Sequence, residues 1–356
     1  DGVLRLNENT IEGTTFNIAG YYTEERFGHF YKAKIENVLI KRYTITKKLD
    51  ELHVVGLNRP DATYTFTLDS DDEILSVTIN NVKTDDVNHS LSGNKLTVKA
   101  SAFIKTGVSE IVIETKGVIY KAAAEVYDIA IGSLEEFKAF WSREGQPATT
   151  VTTKVAFTAD IDASSYNFNG GTVIANSTFN GIIDGKGHTV KGAPSGYYGM
   201  FYCVGSDAVI KNIAFTGIRF YRVSAIVNYK LEGRIENCYF EGSGGSAADN
   251  NALSKQMGAT AVLKNVVVYL HDRPSGTETQ CGVFVSLASG ATSLTTAPEG
   301  VYVVNDSSDG KICDGAGATD LSDVHLYSSL GEFKAQNTTK PNNISEEYWQ
   351  LLNKLA

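Results

Sequence analysis

The segments VIKNIAF (209–215), RIENCYF (234–240) and VLKNVVV (262–268) place Asn212, Asn237 and Asn265 in one column, 25 and then 28 residues apart. A second column precedes it in GMFYC (199–203), SAIVN (224–228), NALSK (251–255) and CGVFV (281–285). From Gly199, Ala225 and Ala252 to the asparagine that follows is 13, 12 and 13 residues. Two strand-like columns at a nearly constant interval mean two strands per coil. A coil of this size cannot bury its apolar side alone, so neighbours stack and share one core, the signature of a solenoid. Asparagines in register can then bond amide to amide as a ladder, and the column reads as structural ahead of substrate-binding.

The register extends in both directions. TVKGA (189–193) falls under VIKNIA with Gly192 in the asparagine position, and STFNGIIDGKG and KVAFTADID supply the earliest coils. GVYVVND (300–306) is the next member after the excursion LASGATSLTTAPE. In FNGIIDGKGHTV (179–190) the Asp-Gly pair lies between two β runs, where glycine supplies a positive φ without steric cost, Asp184 can bond backbone donors across the turn and His188 can pack on the flank. A phosphate-binding loop would need a helix start after it, and none follows.

The first part of the chain has a different rhythm. ATYTFTLDS, ILSVTIN, NKLTVKASAF, SEIVIET and GVIYKAAAEVYDI alternate polar and apolar residues between turn signals, the pattern of an antiparallel sandwich over residues 1–131. IGSLEEFKAFWSR then predicts a short amphipathic helix over 133–143, with Ser133 and Glu136 as a capping box and Leu134, Phe137, Phe140 and Trp141 on one face. Such a helix suits the open end of the coil region, 132–356. SSLGEFKA (328–335) echoes GSLEEFKA, and ISEEYWQLLNKL (344–355), with Ser345 as N-cap, is expected to close the far end.

Composition bounds the partners. A net charge of -9 with 21% charged residues leaves no domain-wide basic surface, so nucleic acid is not an expected partner. No apolar stretch reaches the roughly 18–20 residues of a membrane span, and DGVLRLNENT lacks a charged-then-apolar leader, which a processed chain would have lost. Cys203, Cys238, Cys281 and Cys313 form no C-x-x-C pair, so neither a zinc site nor a dithiol motif is readable, and buried free thiols are the expectation. Nothing specifies an oligomer, so a monomer is the default.

Taken together, FNGIIDGKGHTV, GMF and AVIKNIAF resemble the pectate-lyase-like right-handed parallel β-helix, in the form of the GLUG-type repeats of bacterial surface proteins. NKLTVKASAFIKTGVSEIVIETKGVIYKAAAEV is similar to the last strands of bacterial immunoglobulin-like modules. The resemblance implies an all-β chain, an immunoglobulin-like β-sandwich followed by a short right-handed parallel β-helix capped by a helix. It also implies an exported protein of the cell surface, as in outer-membrane lipoproteins of Gram-negative gut bacteria that handle glycans.

Two residue sets are candidates for chemistry. GIRFYRVSAIVNYKLEGR (217–234) interleaves Arg219, Arg222, Lys230 and Arg234 with Phe220, Tyr221 and Tyr229 in an otherwise acidic chain. Aromatic rings pack on sugars and Arg grips carboxylate or sulfate in two places, so Arg219, Tyr221, Arg222, Tyr229 and Lys230 are the expected contacts to a carbohydrate, above all an acidic glycan. Against this stands the plain reading of Phe220 as core and the rest as a solvated flank. In AFTADIDASS, Phe157, Ala159 and Ile161 alternate inward and leave Asp160 and Asp162 outward, with Asp184 and Lys186 on the next coil. Asp160, Asp162 and Asp184 are the candidate ligands of a calcium ion, the one cofactor considered, and with Lys186 they would suit a polysaccharide lyase. Lys211, Glu236 and Lys264 read as a surface ion ladder. No nucleophile or zinc motif occurs. The expected role is therefore surface binding or adhesion, with a polysaccharide lyase or glycoside hydrolase on the coil flank as the rival, and a structural or assembly protein as a third class.

Overall fold

The computed structural model describes residues 15–24, 29–39, 45–141, 150–166, 177–192, 200–220, 226–244, 253–271, 282–287, 294–305, 311–313 and 321–354; the backbone alone is described for 15–24, 29–39, 282–287, 311–313 and, among others, Arg219 and Phe220. The chain divides into two compact units: Asp1–Glu51, Thr65–Val98 and Glu110–Ala123 in the first, and Leu52–Tyr64, Lys99–Ser109 and Ala124–Ala356 in the second.

The first unit is antiparallel β, as the alternating segments require. Thr15–Glu24 pairs with His29–Leu39, and Ile74–Ile79 pairs with both Val82–Lys83 and Gly107–Thr115. His89–Ser92 and Lys95–Lys99 form a further hairpin. Phe66, Val77, Leu96, Val98, Ile111, Ile113 and Tyr120 are fully buried. Between Ile79 and Val82 the chain reverses through Asn80 and Asn81, both at positive φ (51° and 65°), the backbone that matches the twist of a two-residue hairpin.

The second unit contains a parallel β-helix. One sheet stacks seven strands in chain order: Thr150–Val151, Thr178–Phe179, Phe201–Val204, Val227–Leu231, Ser254–Met257, Gly282–Leu287 and Lys311–Cys313. A second runs Ile129–Ile131, Lys154–Phe157, Ile182–Asp184, Val209–Phe220, Arg234–Gly244, Val262–His271, Glu299–Asn305 and Val324–Tyr327. Both columns read from the repeat are strands here, and GVYVVND is the next rung after 262–271. Inward residues make one apolar column, in which Phe179 and Phe201 (5.8 Å) and Phe215 and Phe240 (5.7 Å) stack from coil to coil. Full burial of each such side chain contributes about 1.5–3 kcal/mol, which is what a coil gains by stacking.

One register expectation is corrected. Gly192 does not occupy the asparagine column; Lys191 pairs with Thr216, and the Gly192 N–H donates to the Thr216 carbonyl, so its successor in the stack is Gly217. The corner beneath Asn212 is instead made by Gly185–His188, with Lys186 and Gly187 at φ 54° and 87°. That corner spends two more residues than the one above it, because Asp184 pairs with Lys211 while Thr189 pairs with Ala214.

Three helices attach to the β-helix. Helix α1 (Leu134–Trp141) buries Phe137, Phe140 and Trp141, and Trp141 packs against Phe201 (5.7 Å) and Phe215 (6.0 Å) of the coils. Its capping box forms with one shift: Ser133 Oγ accepts from Glu136 N (3.3 Å), while the Glu136 carboxylate accepts from Gly132 N (2.9 Å) and is clasped by Arg59. Helices α2 (Leu330–Gln336) and α3 (Glu346–Lys354) start at Ser329 and Ser345, whose hydroxyls accept from Glu332 N (3.0 Å) and Tyr348 N (3.2 Å). Leu330, Phe333, Ile344, Tyr348 and Leu352 lie on an outer face of the coils against Tyr239, Val267, Tyr269, Tyr302 and Val304. No helix among the described residues is long and apolar enough to cross a membrane.

Candidate functional site

The asparagine column is a continuous chain of side-chain hydrogen bonds. Asn265 Nδ2 donates to Asn237 Oδ1 (2.9 Å), Asn237 Nδ2 to Asn212 Oδ1 (3.2 Å), and Asn212 Nδ2 to Asp184 Oδ1 (3.0 Å). All three asparagines hold positive φ, between 49° and 54°. Asn is the residue type that tolerates this backbone and carries both a donor and an acceptor on a short side chain.

Asp184 ends the chain and is fully buried. Its carboxylate also accepts from Tyr127 Oη (3.1 Å) and Lys186 N (3.1 Å), and the Lys186 and Lys211 ammonium groups both stand 3.1 Å away. Burial acts to raise this carboxyl, but the Asn212 amide, the Lys186 N–H and the Lys186 charge outweigh it and hold the group below the ordinary Asp value. Burial likewise pushes the Tyr127 phenol up to about 12, against the opposing pull of Lys186. For Lys186, desolvation is outweighed by Glu125, Tyr127 and Asp184, so its ammonium is held above the usual range. DGKGH is therefore a corner fastened by the fully partnered Asp184 carboxylate.

The three aspartates are partnered separately. Asp160 is exposed and accepts from Thr189 N (2.9 Å), with His188 Nδ1 at 3.1 Å. Asp162 is also exposed; Ser164 N donates to it (3.0 Å), the Ser164 hydroxyl bonds it, and Lys191 lies 3.7 Å away. Its carboxyl sits below the ordinary value, chiefly through the two Ser164 bonds. Among the described residues no group of three or more His, Cys, Asp or Glu side chains is placed to hold a metal ion. The ion ladder of Lys211, Glu236 and Lys264 is in register but differently paired. Lys211 goes to Asp184, Glu236 to Arg234, and Lys264 to Glu299 (3.0 Å).

The aromatic and basic patch is described in part. Arg219 lies near the end of its strand with only its backbone described, and Tyr221 and Arg222 lie outside the described residues. Tyr229 and Lys230 are on the strand Val227–Leu231, where Tyr229 is 43% exposed and the Lys230 ammonium is 2.5 Å from Glu232. The ring of Tyr229 stacks on Tyr202 of the adjacent coil, centroids 5.9 Å apart and planes 11° from parallel. Phe201 pairs with Val227 but Cys203 with Lys230, so the later strand carries one extra residue, and Tyr202 alone faces Asn228 and Tyr229. A bulge of this kind re-aims side chains. Tyr202 was missed in the sequence because GMFYC drew notice for its apolar column. Cys203 and Cys238 are free; burial pushes the Cys238 thiol up to about 12 and raises Cys203 as well, so both behave as packing residues, whereas the pairing of Cys281 and Cys313 lies outside the described side chains.

Comparison with known proteins gives no match: no family model, no curated protein and no solved structure aligns with the chain.

Proposed function

We propose that the protein is an exported cell-surface binding or adhesion module for carbohydrate, and that the flank bearing Tyr202, Tyr229 and Lys230 makes the contact. The observation that carries this reading is the parallel stack of Tyr202 and Tyr229 on adjacent coils, with Tyr229 still 43% exposed. Stacked rings are already ordered, so a sugar that packs on them pays little further side-chain entropy, and their hydroxyls offer polar contacts at the same place. Lys230, paired with Glu232, lies beside the stack, and Arg219, Tyr221 and Arg222 continue the patch in the chain and bring its positive charge for an acidic sugar. In this reading the antiparallel first unit is an immunoglobulin-like spacer, the coils are GLUG-type repeats of a right-handed helix, and the whole is displayed from an outer-membrane lipoprotein.

A glycan array on the intact chain, repeated with Tyr229→Ala and Tyr202→Ala, tests the reading. Binding of at least one glycan, weakened tenfold or more by either substitution, is expected. A wild-type protein that binds no glycan, or that depolymerises an acidic polysaccharide, overturns it.

A further inference from the structure

A groove of about 390 Å³ lies between α3 and the asparagine column, walled by Lys186, Gly187, Asn212 and Asn237 on the coils and by Ser345, Glu347 and Tyr348 on the helix side. Its size falls within the usual range for small-molecule sites.

The polar groups of this groove are only partly used. Asn212 and Asn237 each donate one amide hydrogen and accept one bond within the ladder, which leaves each a second N–H and a second lone pair. Ser345 Oγ accepts from Tyr348 N, so its own hydrogen remains to be donated, whereas the Tyr348 hydroxyl is spent on the Asn237 carbonyl (2.5 Å). Lys186 is neutralised by Glu125 and Asp184. Glu347 has no such partner among the described residues. The charges acting on it come from Asp160 and His188, which pair with each other at 3.1 Å, and partial desolvation followed by the Asp160 charge raises its carboxyl above the ordinary Glu value.

We infer that the groove is a binding site for a neutral sugar of one or two residues, held by Glu347 and Ser345 on one wall and the spare amide groups of Asn212 and Asn237 on the other. Sugar hydroxyls each donate and accept, which matches a wall that mixes N–H donors, carbonyl lone pairs and an acceptor-only carboxylate. An anionic ligand is disfavoured, because Glu347 and the nearby Asp160 would repel it and Lys186 has no charge to spare. The site thus differs in face and in ligand charge from the Tyr229 flank, and it rests on the groove alone.

The test is titration calorimetry of the intact chain against maltose, cellobiose, lactose and diacetylchitobiose, with digalacturonate as the acidic probe. At least one neutral disaccharide should bind saturably with Kd of about 1 mM or tighter. Glu347→Ala and Glu347→Lys should weaken it tenfold or more at unchanged melting temperature, Glu347→Gln should weaken it less, and Tyr229→Ala should leave it alone. The inference is overturned if no neutral disaccharide binds up to about 10 mM, if digalacturonate is preferred, or if binding survives both Glu347 variants. Loss in Tyr229→Ala with the Glu347 variants intact would assign the sugar to the flank and remove the groove as a site.

Discussion

Asn237 donates from Nδ2 to the side-chain oxygen of Asn212 on the adjacent coil at 3.2 Å, and both residues hold a left-handed backbone, at φ 49° and 54°. The two facts are linked. A positive φ turns each coil at the same place, so the side chains fall in register and the amides can bond. At the far end Gly300 stands in the same column at φ 62°, where an added Cβ would meet Asn343 Cβ at 2.5 Å and Asn265 Oδ1 at 3.1 Å. The column therefore starts on a buried carboxylate, runs through three amides and ends on a glycine packed against Asn343 and Asn265.

The backbone and amide contributions of Asn237 are separable. Asn237→Gly keeps the left-handed turn and deletes two ladder bonds, an expected loss of about 1–3 kcal/mol. Asn237→Ala adds the steric penalty of a Cβ at positive φ, about 1–2 kcal/mol more. Urea unfolding should rank wild type above Gly above Ala; equal midpoints for Gly and Ala would show that the turn carries no strain.

Asp184 ties stability to pH. Its folded carboxyl lies below the ordinary Asp value, so the stability it supplies is complete above the unfolded pKa and is lost as pH falls through the lower, folded one. Asp184→Asn removes the charge that Lys186 and Lys211 face. The expected loss at pH 7 is about 2–4 kcal/mol, less than for a wholly buried pair because both ammonium groups reach water. Melting curves from pH 6 down to about 2 should show the gap between variant and wild type narrowing below about pH 4. A gap independent of pH would mean that the carboxylate is not the ionised keystone described.

Tyr348 fastens α3 to the coils by its hydroxyl on the Asn237 carbonyl and by its ring against Tyr239, centroids 5.8 Å apart. Tyr348→Phe keeps the ring and deletes the bond, and should loosen α3 by about 1–1.5 kcal/mol. Hydrogen exchange should rise several-fold in α3 while strands 209–220 and 234–244 stay protected. Unchanged exchange in α3 would show that ring packing alone holds it.

Trp141 seals one end of the apolar column between Phe201 and Phe215. Trp141→Ala opens a cavity there and should lower stability by about 3–5 kcal/mol. Calorimetry that finds less than about 1 kcal/mol would mean the helix is peripheral to the core.

The coil architecture was legible because stacking imposes a spacing on the chain. Asn212, Asn237 and Asn265 recur at the coil length, and Ser133 with Glu136 marks a helix start by local chemistry alone. Gly192 was misassigned because a glycine serves either of two corners equally well, and only the pairing of Lys191 with Thr216 distinguishes them. Helix α3 showed its apolar stripe but not the surface that stripe would meet; an outer row of tyrosines at 239, 269 and 302 is indistinguishable in sequence from residues bound for the core. The Tyr202–Tyr229 stack depends on a bulge, and a bulge moves side chains between faces without leaving a residue signature. Asp160, Asp162 and Asp184 were grouped because alternation turns the first two outward and puts the third on the next coil, but Asp162 is held by Ser164 two residues on and Asp184 is buried among Tyr127, Lys186, Lys211 and Asn212.

The stacking register itself is tested most directly by engineered disulfides. Glu236 pairs with Lys264, and Lys264 with Glu299, on three successive coils. Neighbouring strands lie about 4.8 Å apart, within the Cα separation a disulfide bridges, whereas two coils span about 9.6 Å, beyond it. Mild oxidation of Glu236→Cys with Lys264→Cys should give a crosslink in the non-reducing peptide map, and Glu236→Cys with Glu299→Cys should not. Equal crosslinking of the two pairs, or none in the first, would contradict the stacked coils on which the account depends.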